Sequence, residues 1–289
     1  MTVQGIANDF QDANAGGLLH PTRHTDTYPA VDPRKCDLSE KYVFITDASK
    51  AGCAGIGVGA RIDLSSLVPL LTQAAEEAGK PAPHIIPVTL DVTDAESASS
   101  AATSIASSFP HLDILINNTG YLEKRIKIAE SDPCEWEKTW SVNVTGLYLV
   151  TRAFLLQMLS KGGDSIVVNL RSIAVHLTSL GASAYQTSKL VVLRFTEFLD
   201  ADHGPYGVLT FAVHSDGVLT DMGNRLPEQM HKALPDKPEL CADTLVFLTE
   251  KRWESLAARY ASVTWDLEEL LQKGKEIVRE DKLKVRMHI

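Results

Sequence analysis

Residues 42–61 read YVFITDASKAGCAGIGVGAR, and the fold turns on where the glycines of this stretch are placed. YVFIT (42–46) is a β-branched and aromatic run of the length of a buried strand. Two registers are open for residues 47–61. In one, Gly55 and Gly57 are the later glycines of a phosphate-binding turn, which leaves only Val58 to Ala60 before Arg61 and no room for a crossover helix. In the other, AGIGVGA (54–60) is a second strand, with Ile56 and Val58 pointing to the same face. The second register accounts for more residues, so GIG is read as strand rather than nucleotide loop. The connection is then residues 47–53, seven in all, whereas a parallel crossover needs about a dozen or more. A first crossover helix is therefore expected to be missing, leaving one face of the sheet near the first two strands uncovered.

Beyond this stretch, HIIPVTLDV (84–92), LDILIN (112–117), DSIVVNL (164–170) and GVLTFAV (207–213) supply four more strand-like runs. Helical patterns separate them: LSSLVPLLTQAAEEAG, DAESASSAATSIASSF, a long WEKTWSVNVTGLYLVTRAFLLQML, and AYQTSKLVVLRFTEFLDAD. Strands alternating with helices of that length make parallel βαβ units, so the fold class is α/β, a single doubly wound parallel sheet. A further helix is expected from about Cys241 to Thr249, followed by an Arg- and Lys-bearing segment and a charged tail ending KLKVRMHI. Residues 1–40 have no sustained apolar period and read as an extension on the surface or disordered, ahead of a Rossmann-like domain over 41–289.

Composition excludes several function classes. The 289 residues are 44% hydrophobic and 22% charged, which suits one globular α/β domain rather than a disordered or fibrous chain. Twenty-eight Lys and Arg against 37 Asp and Glu give a net charge of −9, which disfavours nucleic acid or an anionic membrane as partner. No secretory leader pattern and no run of about 20 apolar residues is found, so a cytoplasmic protein without membrane insertion is expected. Cys36, Cys53, Cys134 and Cys241 are widely scattered, as reduced thiols are.

The residues fit for chemistry lie in the second half of the chain. Tyr185 and Lys189 are four apart on a predicted helix and project from one face. A phenol near an ammonium is a tunable proton donor, because the cation favours the phenolate. Ser172 follows a strand, where ligands bind in an open α/β sheet. Asn143 lies inside a helical run, where an amide is a poor helix former. INNTG (116–120) ends the fourth strand with two amides and a glycine that lets backbone approach a flat ligand.

Taken together, these motifs resemble the short-chain dehydrogenase/reductase family, and its fungal members in particular, from about Lys41 to the C-terminus. The resemblance implies that Tyr185 is the general acid/base, that Lys189 lowers its pKa and holds the nicotinamide ribose, that Ser172 orients the carbonyl and that Asn143 anchors a water in a proton relay. NNTG is similar to the family's NNAG, which sets Asn118 near the adenine ribose, and DVTD from Asp91 is similar to its adenine-contacting turn. Arg61 falls where NADP-preferring members hold the 2′-phosphate, and Val218 and Thr220 fall on the nicotinamide-amide contacts. The implied cofactor is NADP(H), the implied substrate a small carbonyl compound or secondary alcohol, and the implied setting fungal secondary metabolism. Two long helices around 135–159 and 184–202 would form a homo-oligomer face. The substrate pocket would be built from the Leu177 to Ala182 loop and the Met222 to Asp236 region.

The chain departs from that family at two places. Asp47 stands where the family's first loop glycine belongs and brings a negative charge towards the diphosphate. Ser215 and Asp216 replace the Pro-Gly after the sixth strand, putting a second acidic residue near the cofactor. These departures leave two alternatives open: a binding or scaffolding protein that has lost dinucleotide affinity, or a product lacking a segment between Lys50 and Ala51 of an ordinary reductase.

Overall fold

The computed structural model describes residues 22–47, 55–161, 163–226 and 228–287. Among the described residues seven strands form one sheet in the order β3-β2-β1-β4-β5-β6-β7, and every neighbouring pair is parallel. They are β1 (Tyr42–Thr46), β2 (Gly55–Ala60), β3 (His84–Thr89), β4 (Ile114–Asn117), β5 (Ile166–Arg171), β6 (Leu209–His214) and β7 (Arg259–Ser262). The helices are α1 (Leu67–Glu77), α2 (Ala95–Ser108), α3 (Pro133–Trp140), α4 (Leu147–Lys161), α5 (Ser183–His203), α6 (Pro238–Glu250), α7 (Leu267–Gln272) and α8 (Gly274–Arg279). This is the doubly wound α/β fold that the alternation of strand and helix patterns requires. The chain runs outward from β1 to β3, then returns to β4 on the other side of β1. Such a reversal opens a crevice at the carboxyl ends of the two strands, where ligands bind in open α/β sheets.

The glycine-rich stretch is strand, as its register with β1 shows. Tyr42 pairs with Gly55, Phe44 with Gly57 and Thr46 with Gly59. The glycines admit a ring: a Cβ on Gly57 would lie 2.6 Å from Phe44 Cδ2 and 2.6 Å from Ile105 Cδ1, and one on Gly59 would lie 2.8 Å from Phe44 Cζ. Phe44 therefore spreads over β2 and stacks on Phe154 of α4 at 4.2 Å between ring centroids. Their role is close packing.

Alternation along the strands sends side chains into two cores. Phe44, Leu115 and Val167 face α2 and α4, meeting Ile105, Phe154 and Met158. Val43, Ile45, Ile56 and Val58 join a second core with Leu71 of α1 and Leu240 and Leu248 of α6. The expectation of an uncovered face at the first two strands is corrected here, since these four side chains are at most 7% exposed.

The segment before β1 contributes to that same core. Tyr28, Val31 and Leu38 are buried within it, carried by two short Pro-started turns at Pro29–Val31 and Pro33–Lys35. Arg23 pairs antiparallel with Trp265, and the Tyr28 hydroxyl donates to the Trp265 carbonyl. Residues 22–40 are thus ordered and partly internal, because three apolar side chains spaced along irregular chain suffice to pin it without any helical period.

Two other elements differ from the sequence reading. β7 lies within what reads as an Arg- and Lys-bearing segment, its four residues RYAS opening on an arginine that is only 6% exposed. The long helical run from 136 to 159 is interrupted by a π-helical segment at Ser141–Gly146. By length and composition the run Pro133–Ser160 is apolar enough to cross a membrane. Val150, Phe154, Leu155 and Met158 bury its inner face against the sheet core instead. Among the described residues Cys36, Cys134 and Cys241 are free thiols; Cys53 lies outside them.

Candidate active site

Four side chains named from the sequence converge beside the carboxyl ends of β4 and β5. Ser172 directly follows β5 and caps the short turn Ile173–His176, its Oγ accepting from the Ala174 amide at 3.2 Å. Tyr185 and Lys189 lie one turn apart near the start of α5, with Lys189 Nζ 5.9 Å from the centre of the Tyr185 ring. Asn143 sits in the π-helical segment, and π-bulges inside helices often mark functional positions. It is 2% exposed. Its Nδ2 donates to the Tyr121 carbonyl at 2.9 Å and to Ser188 Oγ at 3.0 Å, while its Oδ1 accepts from the Tyr121 amide at 2.8 Å. The amide that spoils the helix therefore holds the loop after β4.

Lys189 is 5% exposed and donates to the Leu170 carbonyl at 3.1 Å. Burial lowers its pKa to about 8, and the nearby Arg171 guanidinium pushes the same way. Burial raises the Tyr185 pKa; a hydrogen bond with the Ser172 side chain opposes this, and the Glu123 carboxylate adds to the rise. In this arrangement the phenol stays protonated at neutral pH, the form that donates a proton. The expected lowering of the Tyr185 pKa by Lys189 is absent from this geometry, in which the ammonium turns to the Leu170 carbonyl. A cavity of about 20 Å³ opens between β1, β4 and α5, bounded by Thr46, Asn117, Thr119, Asn143 and Lys189. It has room for about one water molecule.

The cofactor-contact candidates occupy the same edge of the sheet. Asn118 ties β4 to β1, its Nδ2 donating to the Thr46 and Asp47 carbonyls at 3.0 and 2.6 Å. Asp47 has φ +58°, the left-handed conformation that a loop glycine adopts freely and that aspartate tolerates. Asp91 accepts from the Thr93 hydroxyl and amide at 2.7 and 2.9 Å; these bonds, helped by the charge of Arg61, hold its carboxyl below the usual range. Arg61 is exposed directly after β2. Val218 is half-buried and Thr220 exposed, the Thr220 hydroxyl accepting from the Gly223 amide at 3.2 Å.

Asp216 does not face this edge, which corrects the expectation of a second acidic residue near the cofactor. At φ +61° its side chain turns back towards β7, accepts a hydrogen bond from the Ser262 hydroxyl and lies 3.5 Å from His214 Nε2.

The nicotinamide dinucleotide that this fold implies can be tested against the residues present. A Cβ on Gly120 would lie 3.5 Å from Lys189 Nζ, 3.7 Å from Asn143 Oδ1 and 3.4 Å from Met222 Cε. A Cβ would fill the gap between the ammonium, the Asn143 amide and Met222, so the bare backbone at Gly120 leaves that cradle beside Lys189 to another group. The residues fit the nicotinamide-ribose end of such a cofactor. Those that would carry the glycine-rich diphosphate turn, 48–54, lie outside the described residues.

Two residues with evident effects on the site escaped the sequence reading. Arg171 is 2% exposed, donates to the Ser172 carbonyl at 3.0 Å and stacks 3.2 Å above the Tyr260 ring. Its signal was an arginine closing an otherwise apolar strand run. Glu123 is 8% exposed and accepts from the Tyr185 amide at 3.1 Å. Nothing local marks it, since its partner is 62 residues away.

A phenol, a hydroxyl, an ammonium and a buried amide thus meet at the carboxyl edge of a doubly wound parallel sheet. A family profile described as short chain dehydrogenase matches residues 53–231. Short chain dehydrogenase citE of Monascus ruber is 44% identical over 286 positions, covering 95% of this chain and 98% of its own. Short chain dehydrogenase pigC of the same organism is 42% identical, covering 92% of each chain. The chain belongs to the short-chain dehydrogenase/reductase family. Among solved structures, a short chain dehydrogenase from Salmonella enterica superposes with a TM-score of 0.69 at 21% identity, covering 82% of this chain and 99% of the other. A 3-ketoacyl-(acyl-carrier-protein) reductase from Brucella melitensis complexed with NADH does so with a TM-score of 0.67 at 20% identity, covering 78% and 98%.

Proposed function

We propose that this chain is an NADP(H)-dependent reductase of a small carbonyl compound, or the corresponding alcohol dehydrogenase, in fungal secondary metabolism. The observation that carries the reading is the convergence of Tyr185, Ser172, Lys189 and Asn143 beside the carboxyl ends of β4 and β5. When bound, the cofactor supplies or accepts a hydride at the substrate carbon. Tyr185 gives its proton to the substrate oxygen, and Ser172 orients that oxygen by hydrogen bonding. Lys189 holds a ribose and returns protons to the phenol through the cavity lined by Asn143. In this reading Arg61 and Asp91 hold the adenosine end, Arg61 taking the 2′-phosphate, and Asn118, Val218 and Thr220 border the rest of the cofactor; the exposure of Arg61 directly after β2 supports it. The fungal origin of the relatives supports the metabolic setting. A homo-oligomer is supported by the apolar outer faces of α4 and α5, where Tyr148, Leu156 and Phe198 are 49%, 62% and 61% exposed.

The test is NADPH oxidation at 340 nm with a panel of ketones, alongside NADPH fluorescence titration. Saturable binding and turnover are expected, with Tyr185→Phe abolishing turnover by about 10³-fold or more while leaving cofactor affinity nearly intact. A second reading, a dinucleotide-deficient binding protein, rests on the β1 to β2 connection of eight residues, 47–54. No saturable binding at millimolar NADPH would decide for it.

A further inference from the structure

Three connections border the site, and one side chain joins them. Residues 177–182 run from the turn after Ser172 to the start of α5, so both of their ends are set by elements of the site. The connection from β6 to α6 brings Met222 Cε to 3.4 Å from where a Cβ on Gly120 would lie, beside the Lys189 ammonium. The base of that connection is closed: the Gly217 amide donates to Asp236 Oδ2 at 2.9 Å, and the Asp236 amide donates to the Gly217 carbonyl at 3.0 Å. With its base fixed, its middle is placed by what it touches further out. The third connection follows β4, and Arg125 stands on it.

Arg125 is half-buried and reaches both of the others. Its Nε and Nη2 donate to the Leu180 carbonyl at 3.3 and 3.2 Å, and its Nη1 donates to Met230 Sδ at 3.3 Å. Met230 is buried, so the sulfur contact is internal. The Ile126 amide adds a bond to the Gly181 carbonyl at 3.0 Å. Gly181, at φ +74°, permits that approach, since a Cβ there would lie 2.8 Å from Ile126 N. From the other direction Arg225 Nη1 donates to the Leu122 carbonyl at 3.3 Å. A planar guanidinium donates along several fixed directions at once, so it can hold two segments at a set separation.

We propose, resting on the reductase reading, that Arg125 is a specificity-determining residue that acts by position: it ties residues 177–182 to the β6 to α6 connection and so limits the bulk of the carbonyl compound that reaches Tyr185. Its effect is on which substrate enters, and proton transfer is left to Tyr185. Without the guanidinium, the Met230 turn loses its tie to the Leu180 carbonyl, the gap between the two connections widens, and a larger ketone fits.

The experiment has two arms, both on the full-length chain. Hydrogen exchange read by mass spectrometry compares the wild type with Arg125→Met, which keeps a flexible unbranched side chain but has no donor. Peptides covering 177–182 and 223–236 are expected to exchange about tenfold faster, with those from β4 and β5 unchanged. The second arm measures kcat/KM with NADPH for a small aliphatic ketone and for a bulky aryl ketone. The bulky-to-small ratio is expected to rise about fivefold or more in Arg125→Met, with NADPH affinity within about twofold of the wild type. Arg125→Lys should fall between the two, because one ammonium bonds the Leu180 carbonyl or the Met230 sulfur but does not span both. The lysine variant also carries the test should the methionine variant not fold. Unchanged exchange at both segments, or a ratio within about twofold of the wild type, would overturn the proposal, since a residue that only stabilises the fold lowers activity towards both ketones alike. Faster exchange in a protein whose wild type turns over no ketone would sink the reductase reading, and the specificity role with it, while leaving the bridge itself in place.

Discussion

Replacing Asn143 by alanine removes three hydrogen bonds at once from the place where α3 passes into α4. Two of them clamp Tyr121, one from its amide at 2.8 Å and one to its carbonyl at 2.9 Å; the third reaches Ser188 Oγ at 3.0 Å. Asn143 is 2% exposed, so water cannot replace the lost partners from that side. Leaving a buried polar group unsatisfied costs about 1–3 kcal/mol. Tyr121 is half-buried and recovers part of its bonding from solvent, so the loss for the variant is about 2–4 kcal/mol. A chain of 289 residues has an unfolding entropy of about 0.6 kcal/mol/K, which turns that loss into a fall in Tm of roughly 3–7 °C. Thermal unfolding followed by circular dichroism at neutral pH measures it. A fall below about 1 °C would contradict this account, since it would mean that the β4 loop is not held by this side chain. The same variant should lose reductase activity more than its Tm loss explains when assayed well below the transition, because the cavity beside Lys189 loses one wall.

Three further outcomes are expected. Gly57→Ala pushes a methyl to within 2.6 Å of Phe44 and Ile105 and should lower stability by about 1–3 kcal/mol, read as a reduced urea midpoint at unchanged slope. Lys189→Met should raise Tm at pH 7 by a few degrees while abolishing turnover. Here the native pKa of about 8 lies below the ordinary 10.5, so the unfolded chain binds the proton more tightly. The cost of the buried cation is complete below pH 8 and disappears as pH rises through 10.5, so the advantage of the methionine variant should shrink between those values; an advantage that grows with pH would rule out a buried cation at this position. Arg61→Ala should weaken NADPH by about tenfold and leave NADH nearly unchanged in parallel fluorescence titrations, and equal losses for both cofactors would remove Arg61 from a 2′-phosphate role.

Much of the fold was legible because strand and helix patterns are local. The alternation of apolar runs with helical periods places β1, β4, β5 and β6 within a residue or two and β3 within three at its end, and the register that accounts for more residues identifies the glycine stretch as strand. β7 was not legible, since four residues opening on an arginine have no apolar signature and are buried only by what surrounds them. The packing of Tyr28, Val31 and Leu38 was equally hidden, because no secondary structure period marks a segment that is held by tertiary contacts alone.

The site divides along the same line. Residue order alone shows which chemical groups are available and that Tyr185 and Lys189 share a helical face, because one turn of helix is fixed by backbone geometry. What those groups experience is set by the three-dimensional packing. It brought Glu123 to the amide of Tyr185 across 62 positions, buried Lys189 and Arg171 together, and turned Asp216 away from the cofactor edge towards Ser262. Protonation and hydrogen bonding depend on burial and on neighbours distant in the chain, and neither is written in the spacing of the residues concerned.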